Sequence, residues 1–256
     1  MSVVKTVGFI FATFFSINAM AADFSFDRPG AGIGTGITPV GQLAWEQGLA
    51  SLSYSESSAE NGIKVRNTTL NADMLLRTGL TQDLELQLGW QGPSWSKTRT
   101  AGQSVEEDGL GDASIGLKKA INLDDEKLTM AILAEALLAT GNDAFSHEDD
   151  IYRLASAVAY DYSDLIRTSI TMRYETQNSN WAVTAIPNIQ YKITDKLSGF
   201  SELVYRKAES QDYEYALGSG LVYALNERMQ MDASIGLDLS GRDKSYQSGL
   251  GISFLF

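Results

Sequence analysis

One histidine, His147, stands in the run Ser146-His147-Glu148-Asp149-Asp150. A hydroxyl, an imidazole and a carboxylate are the parts of a hydrolytic relay, in which a base draws the proton from the nucleophile and an acid orients the base. Adjacent residues of a flexible loop are poorly placed for that geometry, so the run reads first as a solvated acidic loop. With Asp143 its carboxylates could attract Ca²⁺ or bridge lipopolysaccharide through divalent ions, but they lack EF-hand spacing. No phosphate loop, HExxH or CxxC occurs, and there is no cysteine for a disulfide or a thiolate metal site. No catalytic residue, metal ligand or cofactor is therefore expected.

The other chemistry-bearing residues are charges set into apolar alternation: Glu46, Asp73, Arg77, Glu85, Glu135, Arg153, Arg173, Glu202, Arg206 and Asp232. A strand points successive side chains to opposite faces. Each of these residues has the parity opposite to the apolar residues around it. An arginine facing lipid costs about 2–4 kcal/mol near the bilayer midplane, so these residues are assigned to the inside of a closed sheet, together with Asp161, Arg167, Glu175 and Glu214. Lys119 has the lipid parity but sits near a strand end, where it can snorkel. An interior of both signs reads either as ion pairs filling a narrow space or as a polar conduit with a weak field.

The elements that must position these charges are strands. Leu70, Ala72, Met74, Leu76, Thr78 and Leu80 form one face, a turn falls at 81–83, and Leu84, Leu86, Leu88 and Trp90 follow with Glu85, Gln87, Gly89 and Gln91 opposite. The same reading gives about twelve strands, at 42–54, 69–80, 84–91, 112–121, 127–139, 151–162, 165–175, 181–193, 197–206, 213–223, 229–239 and 245–256. Short connections alternate with longer ones near 55–68, 92–111 and 140–150, as periplasmic turns alternate with outer loops in barrels. Leu43 and Trp45 differ in parity from Leu52 and Tyr54, which predicts a bulge near Ala50 or Ser51. Segment 124–139 has helix propensity; its length and neighbours make it a strand.

Aromatics separate a membrane barrel from a soluble sandwich. Threaded from a periplasmic N-terminus, Tyr54, Trp90, Tyr152, Tyr174, Trp181, Tyr205, Tyr213, Tyr215 and Tyr246 fall at outer strand ends. Trp45, Tyr160, Tyr162, Tyr191, Tyr223, Phe254 and Phe256 fall at inner ends, with aliphatic residues between. Two aromatic bands around an aliphatic zone form a transmembrane girdle. The fold class is thus all-β, a transmembrane antiparallel up-and-down β-barrel.

Residues 1–21 read as a cleaved signal peptide: Lys5, an apolar stretch from Val7 to Ile17, then Ala19-Met20-Ala21. Residues 22–41 are Gly-rich, without strand or helix period, and could enter the periplasmic mouth as a plug. Residues 42–256 form the barrel. A net charge of −12 argues against nucleic acid. A mean hydropathy of −0.12 suits strands of which one face meets lipid.

Several motifs resemble the outer-membrane transporter family associated with the MetA pathway of phenol degradation. They are Asp27-Arg28-Pro29-Gly30, Gly41 to Gly48, Gly109-Leu110-Gly111-Asp112 entering a strand, Thr140-Gly141-Asn142-Asp143, and the closing strand Gly249 to Phe256. The resemblance implies a barrel that takes up small, often aromatic or apolar compounds, with no cofactor and no agreed catalytic residues. Asp27, Arg28, Gly111 and Asp112 read as turn formers and local ion pairs. The terminal Phe256 resembles the signal that barrel-assembly machinery reads on its clients. The expected partners are outer-membrane lipid and lipopolysaccharide, that machinery, and a small solute. The expected function is passive passage across the bacterial outer membrane. A closed structural or adhesive barrel is the alternative, and an outer-membrane hydrolase the third reading.

Overall fold

The alternation over residues 69–91 folds as a hairpin in which Leu76 faces Leu88 and Arg77 faces Gln87 across antiparallel strands. The computed structural model describes residues 24–58, 62–240 and 244–256; the leader expected over 1–21 lies outside them. Fifteen strand segments occur among the described residues: β1 (Leu43–Ser58), β2 (Lys64–Asn71), β3 (Met74–Gly79), β4 (Leu84–Trp90), β5 (Pro93–Thr100), β6 (Gln103–Leu110), β7 (Ala113–Ile121), β8 (Leu128–Leu138), β9 (Ile151–Ser163), β10 (Ile166–Gln177), β11 (Asn180–Lys192), β12 (Leu197–Ala208), β13 (Tyr213–Asn226), β14 (Met229–Asp238) and β15 (Lys244–Leu255). β15 pairs back onto β1, from Ala44 with Leu255 to Glu56 with Lys244, and closes the sheet. Because β2 and β3, β4 and β5, and β6 and β7 are each two lengths of one barrel strand, the result is a closed antiparallel barrel of twelve strands.

Segment 128–138 is a strand despite its leucines and alanines. It pairs on both sides, with Glu135 opposite Gly116 on β7 and Arg153 on β9. Tertiary pairing overrides helix propensity here. The bulge in β1 falls between Gly48 and Ala50, at Leu49, one residue earlier than the alternation predicts.

The longer connections expected near 55–68 and 92–111 are, among the described residues, mostly paired strand. The upper part of β1 pairs with β2, β2 with β5, and β5 with β6. These segments stand beyond the barrel wall as an extension on the side of the longer loops. It departs along a line of breaks in four neighbouring strands: Leu49, Ala72-Asp73, Gln91-Gly92 and Gly111-Asp112. Hydrogen bonds cross the line, from Ala72 N–H to Pro93 O (3.2 Å), Gly111 N–H to Gly92 O (2.8 Å) and Gln91 N–H to Asp112 O (2.9 Å). Gly92 has a φ of +76°, and a Cβ there would lie 1.8 Å from Ala72 O, so only glycine fits. β6 ends the sheet, and Glu106, Glu107 and Asp108 on it blunt the free edge against further pairing.

Candidate functional site

The inward face of the barrel carries the charges, and the Gly-rich residues 24–38 lie among them. Arg77, on β3, has no exposed surface. Its Nε donates to Glu85 Oε1 (2.9 Å), Nη1 to Glu46 Oε1 (2.8 Å) and Nη2 to Glu85 Oε2 (3.2 Å). Lys118, equally buried on β7, reaches Asp27 and Glu85, each at 3.1 Å. Two cations thus sit among three carboxylates, which is how charges tolerate removal from water. A second cluster forms around Arg28, which donates to Asp73 (2.8 Å) and Asp232 (3.4 Å). A third joins Arg153 to Glu175 (2.7 Å) and Glu135 (3.3 Å). Arg206 pairs with Glu214 (2.9 Å), apart from the others and partly exposed.

Followed backwards from Thr38, the N-terminal segment makes one circuit of the inner wall. Thr38 N–H donates to Glu85 on β4 (2.6 Å), and Thr35 Oγ1 meets Thr129 on β8 (2.7 Å). Ile33 N–H donates to Thr171 Oγ1 on β10 (3.2 Å). Ala31 is held twice, its N–H by Glu202 of β12 (2.9 Å) and its carbonyl by Arg173 of β10 (2.7 Å). Arg28 reaches β14 through Asp232, and Asp27 N–H returns to Glu46 on β1 (3.0 Å). Gly34 N–H donates to Asp27 Oδ1 (3.0 Å) and links the circuit to itself. Small residues on the wall admit it closely: a Cβ on Gly251 would fall 2.5 Å from Arg28 Nε, and one on Gly79 2.1 Å from Thr38 O. Between this segment and the inner turns lies a cavity of about 880 Å³, lined by Phe24, Phe26, Ile33, Phe200, Asn188 and Arg167 among others. The rings of Phe24 and Phe26 meet edge to face at 4.9 Å.

Two of the four motif residues read as turn formers and local ion pairs, Arg28 and Asp112, are corrected here. Arg28 bonds across 45 and 204 residues of chain, to Asp73 and Asp232. Lys118 was missed, although its parity with Ser114 and Gly116 marks it as inward. Asp112 is not a turn former but an anchor. Its buried carboxylate accepts from Thr140 N, Gly141 N, Ser146 Oγ and His147 N, and lies 2.7 Å from His147 Nδ1. Burial raises the Asp112 pKa, and the hydrogen bonds led by Ser146 and His147 outweigh it, leaving the carboxyl well below its usual range. Ser146 Oγ thus donates its hydrogen bond to the carboxylate (2.7 Å) and not to the imidazole, which is not the order of a Ser–His relay. Asp143, Glu148, Asp149 and Asp150 do not gather into a metal-binding group among the described residues.

On the outer face, Trp45, Tyr160, Tyr174, Trp181, Tyr213, Tyr223, Tyr246 and Phe256 are exposed, while Trp90 and Tyr191 are half-buried. Trp90 Nε1 donates to Gly111 O (3.2 Å). Tyr191 packs against Gly199, where a Cβ would come within 2.5 Å of its ring. Trp45–Phe254 and Phe254–Phe256 contacts mark one end of the barrel, and Tyr54–Tyr246 and Tyr205–Tyr215 the other.

Solved structures share this architecture. The COG4313 outer membrane channel from Pseudomonas putida F1 superposes with a TM-score of 0.66 at 14% identity, over 85% of this chain and 96% of that one. A KdgM porin in complex with disordered oligogalacturonate gives 0.54 at 13% identity, over 80% and 98%. The CymD monoaromatic hydrocarbon channel gives 0.50 at 9% identity, over 84% and 88%. At such identities the likeness is one of fold. No curated protein sequence matches the chain. A family model does, over residues 26–256, the whole barrel and nearly all of the segment within it. By that match the chain belongs to the family described as "Putative MetA-pathway of phenol degradation".

Proposed function

We propose that the protein is a passive outer-membrane channel for small solutes, with residues 24–38 narrowing its lumen. The observation that carries this reading is the charged, hydrogen-bonding inner wall inside a sheet whose outer face is aliphatic and aromatic. An adhesive barrel needs no such wall beyond what packing requires. The neighbours of similar fold are named for an acidic saccharide and for monoaromatic hydrocarbons, so the fold alone selects neither. The cavity favours the second kind of solute. Its volume of about 880 Å³ suits a small molecule, and Phe24, Phe26, Ile33 and Phe200 give it an apolar patch within a lining that also carries Asn188, Asp161, Arg167 and Glu202. Small aromatic compounds with one polar group are the class this lining fits. No step of bond making is implied, and the residues named above bind or orient by contact alone.

Flux into liposomes tests the reading. Vesicles holding the full-length protein should take up a small aromatic alcohol faster than protein-free vesicles of the same lipid, after subtraction of passive leak. A charged disaccharide acid of greater bulk should enter more slowly. Equal rates with and without protein would count for a closed structural barrel. The same assay on a chain lacking residues 24–38 reads the narrowing: uptake should rise, and an unchanged rate would remove that segment from the permeation path.

A further inference from the structure

We infer that the outward face of the extension binds a phosphate of an outer-leaflet glycolipid, with Arg99 and Arg66 as its principal ligands. Cross-strand pairing puts Arg66 of β2 directly opposite Arg99 of β5. Directly opposed residues share a face, and like charges so placed repel. Arg66 shares Glu56 with Lys64, each at 2.7 Å, and Lys97 is paired with Glu106. Arg99 is exposed and has no ion pair or side-chain hydrogen bond among the described residues. Glu56 is shared between Arg66 and Lys64, and Glu106 is held by Lys97 and attracts Arg99 only from a distance, so the arginine pair lacks a carboxylate of its own.

The height of the pair says which anion. The last apolar row of this sector is Leu52, Leu70 and Trp95, and the next row up holds Tyr54, which contacts Tyr246 at 6.2 Å in the outer aromatic band. Arg66 and Arg99 stand two residues beyond Tyr54, in the row of Glu56. At about 3.4 Å per residue and a strand tilt of about 40°, that is roughly 5 Å above the aromatic band. Headgroups occupy roughly the 5–8 Å outside the hydrocarbon. A guanidinium pair at that level meets lipid phosphates edge-on, and the planar fork of arginine suits them. Asp108, the remaining acid on this face, lies opposite Trp95, two rows nearer the membrane. The inference depends on the barrel lying in a membrane and not on any solute passing through it.

Native mass spectrometry of the full-length protein in detergent, titrated with bisphosphorylated lipid A, reads the site. The wild-type protein should retain lipid A, and Arg99→Gln should weaken retention roughly tenfold, the loss of about one charge-assisted contact. Arg99→Lys should keep most of it. Lys207→Gln, an outward cation remote from the pair, should change nothing. Arg99 is exposed, so these variants fold as the parent does. Three results would overturn the inference. Fully dephosphorylated lipid A retained as well as the phosphorylated form would assign binding to the apolar belt. Inorganic phosphate at matched concentration displacing the lipid would make the site one for free anions. Equal retention by Arg99→Gln would remove the pair from binding altogether.

Discussion

Arg77 is enclosed by Glu46, Glu85 and Asp27, and that enclosure makes it the most consequential side chain of the lumen. Arg77→Met would leave two fully buried carboxylates short of their main counter-charge. Breaking a buried pair on one side costs about 3–5 kcal/mol. The urea midpoint of the lipid-reconstituted barrel should fall accordingly, and adding Glu85→Gln should recover part of the loss. A midpoint unchanged by Arg77→Met would mean that the cluster is hydrated and weakly coupled. Gly251→Ala acts on the neighbouring cluster. Its methyl would stand 2.5 Å from Arg28 Nε and 2.7 Å from Asp232 Oδ2, and the clash would push the two apart. The amides of Arg28, Ala31 and Ile33, which donate to side chains on the wall, should then exchange with solvent roughly tenfold faster or more, while strand amides keep their rates. At the outer rim, Asp112 anchors the loop that carries His147. Its carboxyl is depressed in the folded protein, so its contribution is fully present above the ordinary carboxylate pKa and is lost only as pH falls towards the lowered value. Protease cleavage within residues 139–150 should stay slow down to about pH 4 and accelerate below it. Asp112→Asn should be cleaved quickly at every pH.

Among the elements, strand alternation was legible wherever one face meets lipid and the other the lumen, as in β3, β4, β9 and β10. It failed at the line of breaks for two physical reasons. A one-residue bulge reverses parity, so Trp90 and Trp95 both face outward although one is even and the other odd. Beyond the row of Leu52, Leu70 and Trp95 neither face meets hydrocarbon, and Lys64-Val65-Arg66-Asn67-Thr68-Thr69 has no apolar side to reveal its period. The charged lumen residues were legible by the cost of placing them in lipid. Their grouping was not, because partners such as Arg28 and Asp232 lie far apart in the chain and come together only when β15 closes on β1. The course of residues 24–38 left no trace in alternation either, since that segment bonds through its amides to side chains and forms no ladder. At the bend, Gly92→Ala should cost about 1–2 kcal/mol for the left-handed backbone alone, with the clash against Ala72 O added. Exchange should quicken across β2, β5 and β6, and stay slow in β8 to β13.

The whole molecule is a closed wall with an apolar exterior, a charged interior and a segment of its own chain laid round the inside. Among the described residues, closure leaves no free sheet edge within the membrane, and the open edge, on β6, stands in the extension. The reading of the lumen as a conduit takes the circuit of residues 24–38 to narrow the passage without sealing it. Single-channel recording in a planar bilayer, comparing the full-length protein with a chain lacking residues 24–38, tests that most directly. Discrete openings from the full-length protein, with larger unit conductance after the deletion, are the predicted result. Silence from both proteins, each shown to be folded and inserted, would contradict it and leave a barrel whose charges serve only to hold it together.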